Sequence, residues 1–111
     1  MSFEPRDYLL HILAEADFLL AASEGLTFPE FDSDETRRRA FVRSLAVIGE
    51  ASKKVPQAFR DLHPEIEWRF MAGMRDRLIH DYMGVDYELV WDVIQNRIPE
   101  LKKQIGTVLE L

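Results

Sequence analysis

The chain has 111 residues, enough for one domain with a single core but too few for two independent domains. Its 47% hydrophobic and 31% charged content is that of a globular protein, and no apolar run approaches the roughly 20 residues that a membrane-spanning helix needs. The formal net charge of −6 opposes nonspecific binding to nucleic acid, so any RNA-binding role requires a local concentration of basic side chains.

Two features of the sequence bear on the cellular compartment. Glu15 and Asp17 interrupt the apolar residues near the start, which argues against an export signal. The chain has no cysteine, which excludes disulfides and thiolate metal sites and fits a reducing compartment. We therefore expect a cytoplasmic protein.

The first half of the chain is predicted to be helical. Apolar residues recur at helical spacing from Arg6 to Ser23, which indicates a first helix. Residues 25–33 are rich in turn-forming types and predict a connection. A second helix is expected from about Asp34, a good N-cap residue, to Val55, and a short helical turn from Gln57 to Leu62 follows Pro56. The second helix should turn its apolar residues inward, namely Phe41, Leu45, Ile48 and Val55.

A third long helix is predicted to carry the polar cluster described below. Pro64 suits its first position, and Gly84 is expected to end it just after Met83 in a left-handed conformation. Gly73 lies in the middle of this helix and costs about 1 kcal/mol of helix propensity relative to alanine. We therefore expect a close approach to its backbone by a facing helix, from the same chain or from a second copy.

A last helix completes the predicted fold. Asp86 is its expected N-cap, and Pro99 should kink or interrupt it. No segment shows sustained two-residue alternation, hairpin-turn chemistry or an internal repeat. The sequence thus predicts a single all-α domain over residues 1–111, an antiparallel bundle of four main helices plus a short helical turn.

The stretch GMRDRLIHDYMG, residues 73–84, concentrates reactive side chains at the end of the third helix. Arg75 and Tyr82 are seven residues apart and share a face. Asp76 and His80 are four apart, so the carboxylate is expected to orient the imidazole. Arg75 and His80 are separated by about 140° around an ideal helix, so one helix does not aim both at the same point. Either the long arginine bends, or a second subunit completes the site.

These residue types suit phosphodiester cleavage by the 2′-hydroxyl of RNA. That reaction wants a proton acceptor and a proton donor, and a two-fold dimer would supply two copies of His80. Arg75 offers a fixed positive charge with several donors for the phosphate oxygens as negative charge develops. Tyr82 has a hydroxyl that can bond phosphate and a ring that can stack on a base.

The spacing of Arg75, His80 and Tyr82 resembles the RxxxxHxY motif of the HEPN superfamily, specifically its HepT-like toxin branch. The segments AVIGEASKKVP and WRFMAGMRDRLIHDYMGVD, and the pair Val90 and Trp91, are also similar to that family. The likeness therefore extends over nearly the whole chain, which makes it far more specific than the short motif.

The resemblance implies a helical-bundle homodimer that acts as a metal-independent ribonuclease. Arg75 and His80 would be catalytic, and Asp76, where many relatives have asparagine, would support the arginine. Such proteins form type VII toxin–antitoxin pairs with a minimal nucleotidyltransferase antitoxin, which can transfer AMP to the motif tyrosine, here Tyr82. No cofactor is implied.

Several residues outside the motif allow two interpretations. Glu50 lies in the apolar stretch VIGEA and needs a partner, so it forms either a salt bridge to an arginine of the third helix or a support for the reactive cleft. His11 and His63 each lack a second histidine at metal-ligand spacing, so we predict no metal site. Basic residues concentrate in two groups. The first group is Arg37, Arg38, Arg39 and Arg43, and the second is Arg69, Arg75 and Arg77. We expect Arg37 and Arg38 on a solvated helix face.

Three functions remain open at this level. The first is an RNA-cleaving toxin with a site shared by two subunits. The second is a noncatalytic helical partner of a nucleotidyltransferase, whose motif serves for docking and modification. The third is a nucleotide-binding regulatory module that uses the face of Arg75 and Tyr82.

Overall fold

The computed structural model describes residues 3–80 and 83–111, and all regular secondary structure in this part of the chain is helical. The all-α prediction is confirmed, although these residues form seven helices because one connection is helical and the last helix is divided. In chain order they are α1 (Pro5–Ser23), α2 (Phe28–Asp32), α3 (Glu35–Lys54), α4 (Gln57–Leu62), α5 (Trp68–His80), α6 (Tyr87–Asn96) and α7 (Ile98–Leu109).

The predicted first and second helices and the short turn after them are present as α1, α3 and α4. The side chain of Asp34 accepts a hydrogen bond from the backbone N–H of Arg37 at 3.2 Å, which confirms the predicted N-cap of α3. The four apolar residues expected to face inward from the second helix are all buried, at 1% exposure or less. Periodicity together with the capping signals therefore located the longest helices correctly.

Helix α2 was not expected, because residues 25–33 were predicted to be a connection. Thr27 caps it: its hydroxyl accepts from the backbone N–H of Glu30 at 3.3 Å, and the Glu30 carboxylate accepts from the backbone N–H of Thr27 at 2.9 Å. Phe31 is fully buried and stacks on Phe41, with ring centroids 5.1 Å apart. The short helix is thus stabilised by its capping box and by the burial of the Phe31 ring in the core.

The prediction that α5 begins at Pro64 is wrong, since the helix begins at Trp68. The backbone carbonyl of His63 accepts hydrogen bonds from the N–H of Ile66 at 3.2 Å and from the indole Nε1 of Trp68 at 3.0 Å. These bonds hold residues 63–66 in a turn that buries Ile66. Pro64 is therefore part of a turn rather than the first residue of the helix, and this turn binds the indole of Trp68 through the His63 carbonyl.

The last predicted helix is interrupted as expected near Pro99. Asp86 caps α6 by accepting from the backbone N–H of Leu89 at 3.1 Å. Arg97 then separates α6 from α7, whose first turn contains Pro99. The left-handed conformation expected at Gly84 is not observed: in the described residues, positive φ occurs at Gly25 and Glu110. The chain reaches the Asp86 cap from Met83 through a turn that needs no left-handed residue.

Helix α3 is the centre of the bundle. It packs most extensively against α5 on one side and against α1 on the other, while α1 also packs on α7. In the part of the chain that the structure describes, none of the helices combines the length and apolarity needed to cross a membrane.

The close approach of two helices occurs at Gly49 rather than at Gly73. A Cβ atom placed on Gly49 would lie 2.1 Å from the Cβ of Arg75 and 2.6 Å from the backbone oxygen of Met71. At Gly73, which is exposed, such an atom would have no neighbour within 4 Å. The expected contact at Gly73 is therefore not made by any residue that the structure describes, and a contact with a second copy stays a prediction.

We predict that Gly49→Ala lowers the free energy of unfolding by about 1–3 kcal/mol, because the added methyl group forces α3 and α5 apart. The measurement is urea denaturation followed by circular dichroism. Gly106→Ala is the matched control: Gly106 is also within a helix but has open space around it, so alanine should raise stability by up to about 1 kcal/mol. Equal stability changes in the two variants would contradict the close contact at Gly49.

Candidate active site

Arg75 lies where α3 and α5 are closest. Its side chain is 25% exposed, and its Cβ and Cγ lie against Gly49. Its Nε is 3.0 Å from Oε2 of Glu50. The N–H does not point at that oxygen, so the buried Nε has an ionic neighbour but no hydrogen-bond acceptor in the described residues. The salt bridge expected for Glu50 is therefore present, and its partner is the motif arginine itself.

Asp76 joins the same group of charges. Its Oδ1 accepts a hydrogen bond from Lys53 Nζ at 2.9 Å and another from Arg75 Nη1 at 3.1 Å. The pKa of the Asp76 carboxyl is lowered, chiefly by the Lys53 hydrogen bond and then by the Arg75 hydrogen bond. We call Glu50, Lys53, Arg75 and Asp76 the charge network; it links α3 to α5 and has no net formal charge.

The predicted contact between Asp76 and His80 is wrong. Within residues 3–80 and 83–111, the His80 side chain makes no hydrogen bond or ion pair, and it is exposed at the end of the described part of α5. The Asp76 carboxylate is instead drawn toward α3, because Lys53 and Arg75 both donate to its Oδ1. His80 is therefore exposed, and no residue in the described part of the chain fixes the orientation of its imidazole.

Within the described residues, Arg75 and His80 do not meet in a common pocket. The structure gives no contact between Arg75 and His80, and Tyr82 lies outside the described residues, so its shared face with Arg75 stays a prediction. The two large clefts of the described surface, of about 620 and 490 Å³, include neither Arg75 nor His80 in their linings. The two residues instead lie on an open surface of α5.

Neither of the two predicted groups of basic residues stays together as one surface. Arg37 is exposed and pairs with Asp34, as expected for a solvated face. Arg38 is half-buried, so the same expectation is wrong for it. Arg69 lies at the other end of α5 from His80, in the 620 Å³ cleft with Arg60 and Arg97. The arginines of α5 thus do not form one continuous basic surface.

Sequence reasoning missed Lys53 and Gly49. Lys53 follows Glu50 by three residues, so both lie on one face of α3, and this spacing was an available signal. Gly49 precedes Glu50 in an apolar stretch of a helix, where the absence of a side chain is a sign of close packing. Gly49 packs against Arg75 and Lys53 binds Asp76, both on α5. The sequence spacing within α3 does not reveal which residues of another helix lie opposite.

Comparison with known proteins defines the class of this helical domain. The family model described as "Ribonuclease HepT-like" matches residues 5–108, nearly the whole chain. The chain therefore belongs to the HepT-like ribonuclease family, and the resemblance drawn from the motif is confirmed. Membership makes it an enzyme of the endoribonuclease class, as the sequence predicted.

Individual relatives agree with the family. The chain is 49% identical over 106 residues to "Putative RNase TTE0752" of Caldanaerobacter subterraneus, covering 96% of this chain and 95% of that protein. It is 43% identical over 97 residues to "Probable ribonuclease HepT" of Thermococcus cleftensis, covering 87% and 88%. It is 38% identical over 105 residues to "Putative RNase MJ0127" of Methanocaldococcus jannaschii, covering 95% and 87%. No solved structure matches the chain.

We predict that Lys53→Gln raises the pKa of Asp76 toward the ordinary value of an aspartate, because the largest cause of its lowering is removed. The measurement is a carboxyl-carbon NMR titration. Any stability that Asp76 contributes through this shift is present above its unfolded-state pKa and lost as the pH falls through its folded-state pKa, so Lys53→Gln should also weaken the dependence of stability on acid pH.

Lys54→Gln is the matched control for this titration. Lys54 is the neighbouring lysine and lies 3.9 Å from Glu50 rather than beside Asp76. Its substitution should leave the Asp76 titration near that of the wild type. An unchanged Asp76 pKa in Lys53→Gln would show that the lysine is not its main partner in solution.

Proposed function

We propose that the chain is the toxin of a toxin–antitoxin pair and cleaves RNA without a metal ion, at a site built from two subunits. The 2′-hydroxyl attacks the adjacent phosphorus and loses its proton, while the bond from phosphorus to the 5′-oxygen breaks and that oxygen gains a proton. The products are a 2′,3′-cyclic phosphate and a 5′-hydroxyl. The proposal rests on the family membership and on the surroundings of Arg75 and His80.

The fixed position of Arg75 is the observation that supports this function most strongly. Asp76 accepts a hydrogen bond from Nη1, Glu50 forms an ion pair beside Nε, and Gly49 lets the side chain lie against α3. No acceptor among the described residues takes up Nη2, so this nitrogen remains for a phosphate oxygen. A guanidinium that is already oriented stabilises developing charge without reorganising during the reaction. Glu50 and Asp76 are then positioning residues for Arg75.

His80 supplies the proton transfer in this proposal. An exposed imidazole that no described residue binds can reach substrate, but one ring does not serve as acceptor and donor in the same step. A second subunit provides the second imidazole. Two observations on α5 and the segment after it support such pairing: Gly73 is open to solvent, and Ile79 and Met83 expose large apolar side chains.

The proposed antitoxin is a minimal nucleotidyltransferase that transfers AMP to Tyr82. This part follows from the resemblance alone, because Tyr82 lies outside the described residues. Modification of the motif tyrosine would place a bulky anion two residues from His80 and repel the RNA backbone. The RNA cleavage and the modification thus compete for one surface.

A noncatalytic binding partner is the second candidate, and the charge distribution favours it. The chain carries a net charge of −6, and the charge network around Arg75 has no net charge. Expression of the protein alone in bacteria distinguishes the two candidates. Growth arrest that His80→Ala relieves supports the toxin, whereas normal growth together with stable binding of a nucleotidyltransferase supports the binding partner.

We predict that Arg75→Ala and His80→Ala each lower the rate of RNA cleavage by about 100-fold or more, because one removes the fixed charge and the other the proton transfer. Cleavage of labelled RNA is followed on gels in the presence of a chelator, which should not change the rate. The products are tested for a 2′,3′-cyclic phosphate. His11→Gln should retain wild-type cleavage, since His11 is on the exposed face of α1. A pure protein that leaves every RNA intact would refute the enzymatic proposal.

We also predict a dimer of twice the 13.0 kDa chain mass, which Gly73→Leu converts to a monomer with little cleavage activity. The added side chain would occupy space that the second copy fills. Sedimentation measures the mass, and circular dichroism checks that the variant is folded. Gly106→Leu is the matched control, because Gly106 also has open space around it within a helix. A Gly73→Leu protein that remains dimeric and active would place the interface elsewhere.

A further inference from the structure

A neutral charge network does not explain how an acidic protein attracts RNA. A second surface of the molecule has the required charge. Between α3 and the start of α6 lies a cleft of about 490 Å³, whose lining includes three arginines, one glutamate, an aromatic ring and Leu78 of α5. We call it the arginine cleft and define it by Arg38, Arg39, Arg43 and Tyr87.

Arg38 is fixed in this cleft without an acceptor for its charge. Its Cζ lies 4.8 Å from the centroid of the Tyr87 ring, a cation–π contact, and the side chain is half-buried. Its Nε is buried and has no hydrogen-bond partner within the described residues. A buried donor that remains unpaired is costly, so the Arg38 guanidinium is held in the cleft by its contact with Tyr87 rather than by hydrogen bonds at Nε.

The other charges leave the cleft positive. Arg39 pairs with Glu35 through contacts of 2.6 and 3.1 Å, so these two cancel. Arg43 is exposed, and its side chain makes no hydrogen bond or ion pair with the part of the chain that the structure describes. Among the residues that the structure describes, Arg38 and Arg43 thus line the cleft without a paired carboxylate, on a chain whose net charge is −6.

The arginine cleft lies at the His80 end of α5. Val42 and Leu78 line it together, whereas Gly49 meets Met71 and Arg75, so α3 and α5 run in opposite directions. His80 lies about 7.5 Å along α5 from Arg75, and Arg43 about 9 Å along α3 from Gly49, at 1.5 Å per residue. Both displacements are toward the same end of the helix pair. His80 and the cleft therefore lie at the same end of the helix pair, although the cleft is lined by Leu78 rather than by His80.

We propose that the arginine cleft binds the sugar–phosphate backbone of single-stranded RNA beside the bond that is cut, with Arg38 and Arg43 contacting phosphates. This inference rests on the proposed ribonuclease function for its choice of polymer. A volume of 490 Å³ is within the range of about 300–1,000 Å³ for pockets that hold small ligands, so it suits a nucleotide unit of a flexible strand rather than a duplex. Arginine is well suited to phosphate, because its planar group donates two parallel hydrogen bonds.

The test compares Arg43→Gln with Arg37→Gln in binding to a short single-stranded RNA that is methylated on its 2′-hydroxyls and cannot be cleaved. Both variants lose one positive charge from exposed positions of α3, but Arg37 pairs with Asp34 and does not line the cleft. Fluorescence anisotropy is measured over a range of salt concentrations. Arg43→Gln should raise Kd roughly fivefold and reduce the slope of log K against log salt by about 0.7, whereas Arg37→Gln should stay near wild type.

The outcomes separate this inference from the proposed function. Equal binding by Arg43→Gln and Arg37→Gln would overturn the cleft assignment, even if the wild type cleaves unmethylated RNA. Weaker binding by Arg43→Gln together with no cleavage by the wild type would uphold the cleft and refute the ribonuclease. A polyglutamate peptide that binds more tightly than RNA of equal charge, and loses affinity in Arg43→Gln, would overturn the RNA assignment in favour of an acidic protein surface.

Discussion

The contact of α3 with α5 at Gly49 is the constraint on which the rest of the site depends. Because Gly49 has no side chain, the two helix backbones come close enough for Glu50 and Lys53 to reach Arg75 and Asp76. The four charges compensate one another, so the half-buried guanidinium of Arg75 is tolerated at the crossing. The same crossing fixes how far α3 is shifted along α5, and therefore places the arginine cleft at the end of the helix pair where His80 lies. The described surface thus combines a neutral charge network at the crossing with a cleft lined by three arginines and one glutamate, on a chain whose net charge is −6.

The helices were largely predictable because their patterns are local. Three- and four-residue spacing is repeated often enough in α1 and α3 to identify them, and Asp34 and Asp86 mark two helix starts through bonds made within one turn. Helix α2 has only five residues, too few for periodicity, although Thr27 and Glu30 form a capping box that sequence inspection can find. The start of α5 was predicted wrongly because proline suits both a turn and the first position of a helix. The hydrogen bonds that the His63 carbonyl accepts hold Pro64 in a turn instead.

The site was less predictable than the fold because its contacts join distant parts of the chain. The motif predicts catalytic roles for Arg75 and His80. For Glu50, a carboxylate in an apolar stretch, the sequence left a salt bridge and a support for the cleft open, and the salt bridge to Arg75 is present. Helix-wheel geometry then paired Asp76 with His80, since it considers only neighbours on one helix. Lys53, 23 residues earlier on α3, takes the carboxylate instead. Such competition depends on which faces of two helices meet, and the spacing within either helix does not contain that information.

The stacking of Arg38 on Tyr87 has a consequence for the thermodynamics of binding. An arginine that moves freely loses up to about 2 kcal/mol of side-chain conformational entropy when a ligand immobilises it. Arg38 has already lost part of this freedom during folding, because the aromatic ring restricts it before any anion arrives. Arg43 keeps its rotamers and must be ordered on binding. The two arginines thus differ in their entropic contributions: a preorganised donor retains an anion at little further cost, and a mobile one can search a wider volume for it.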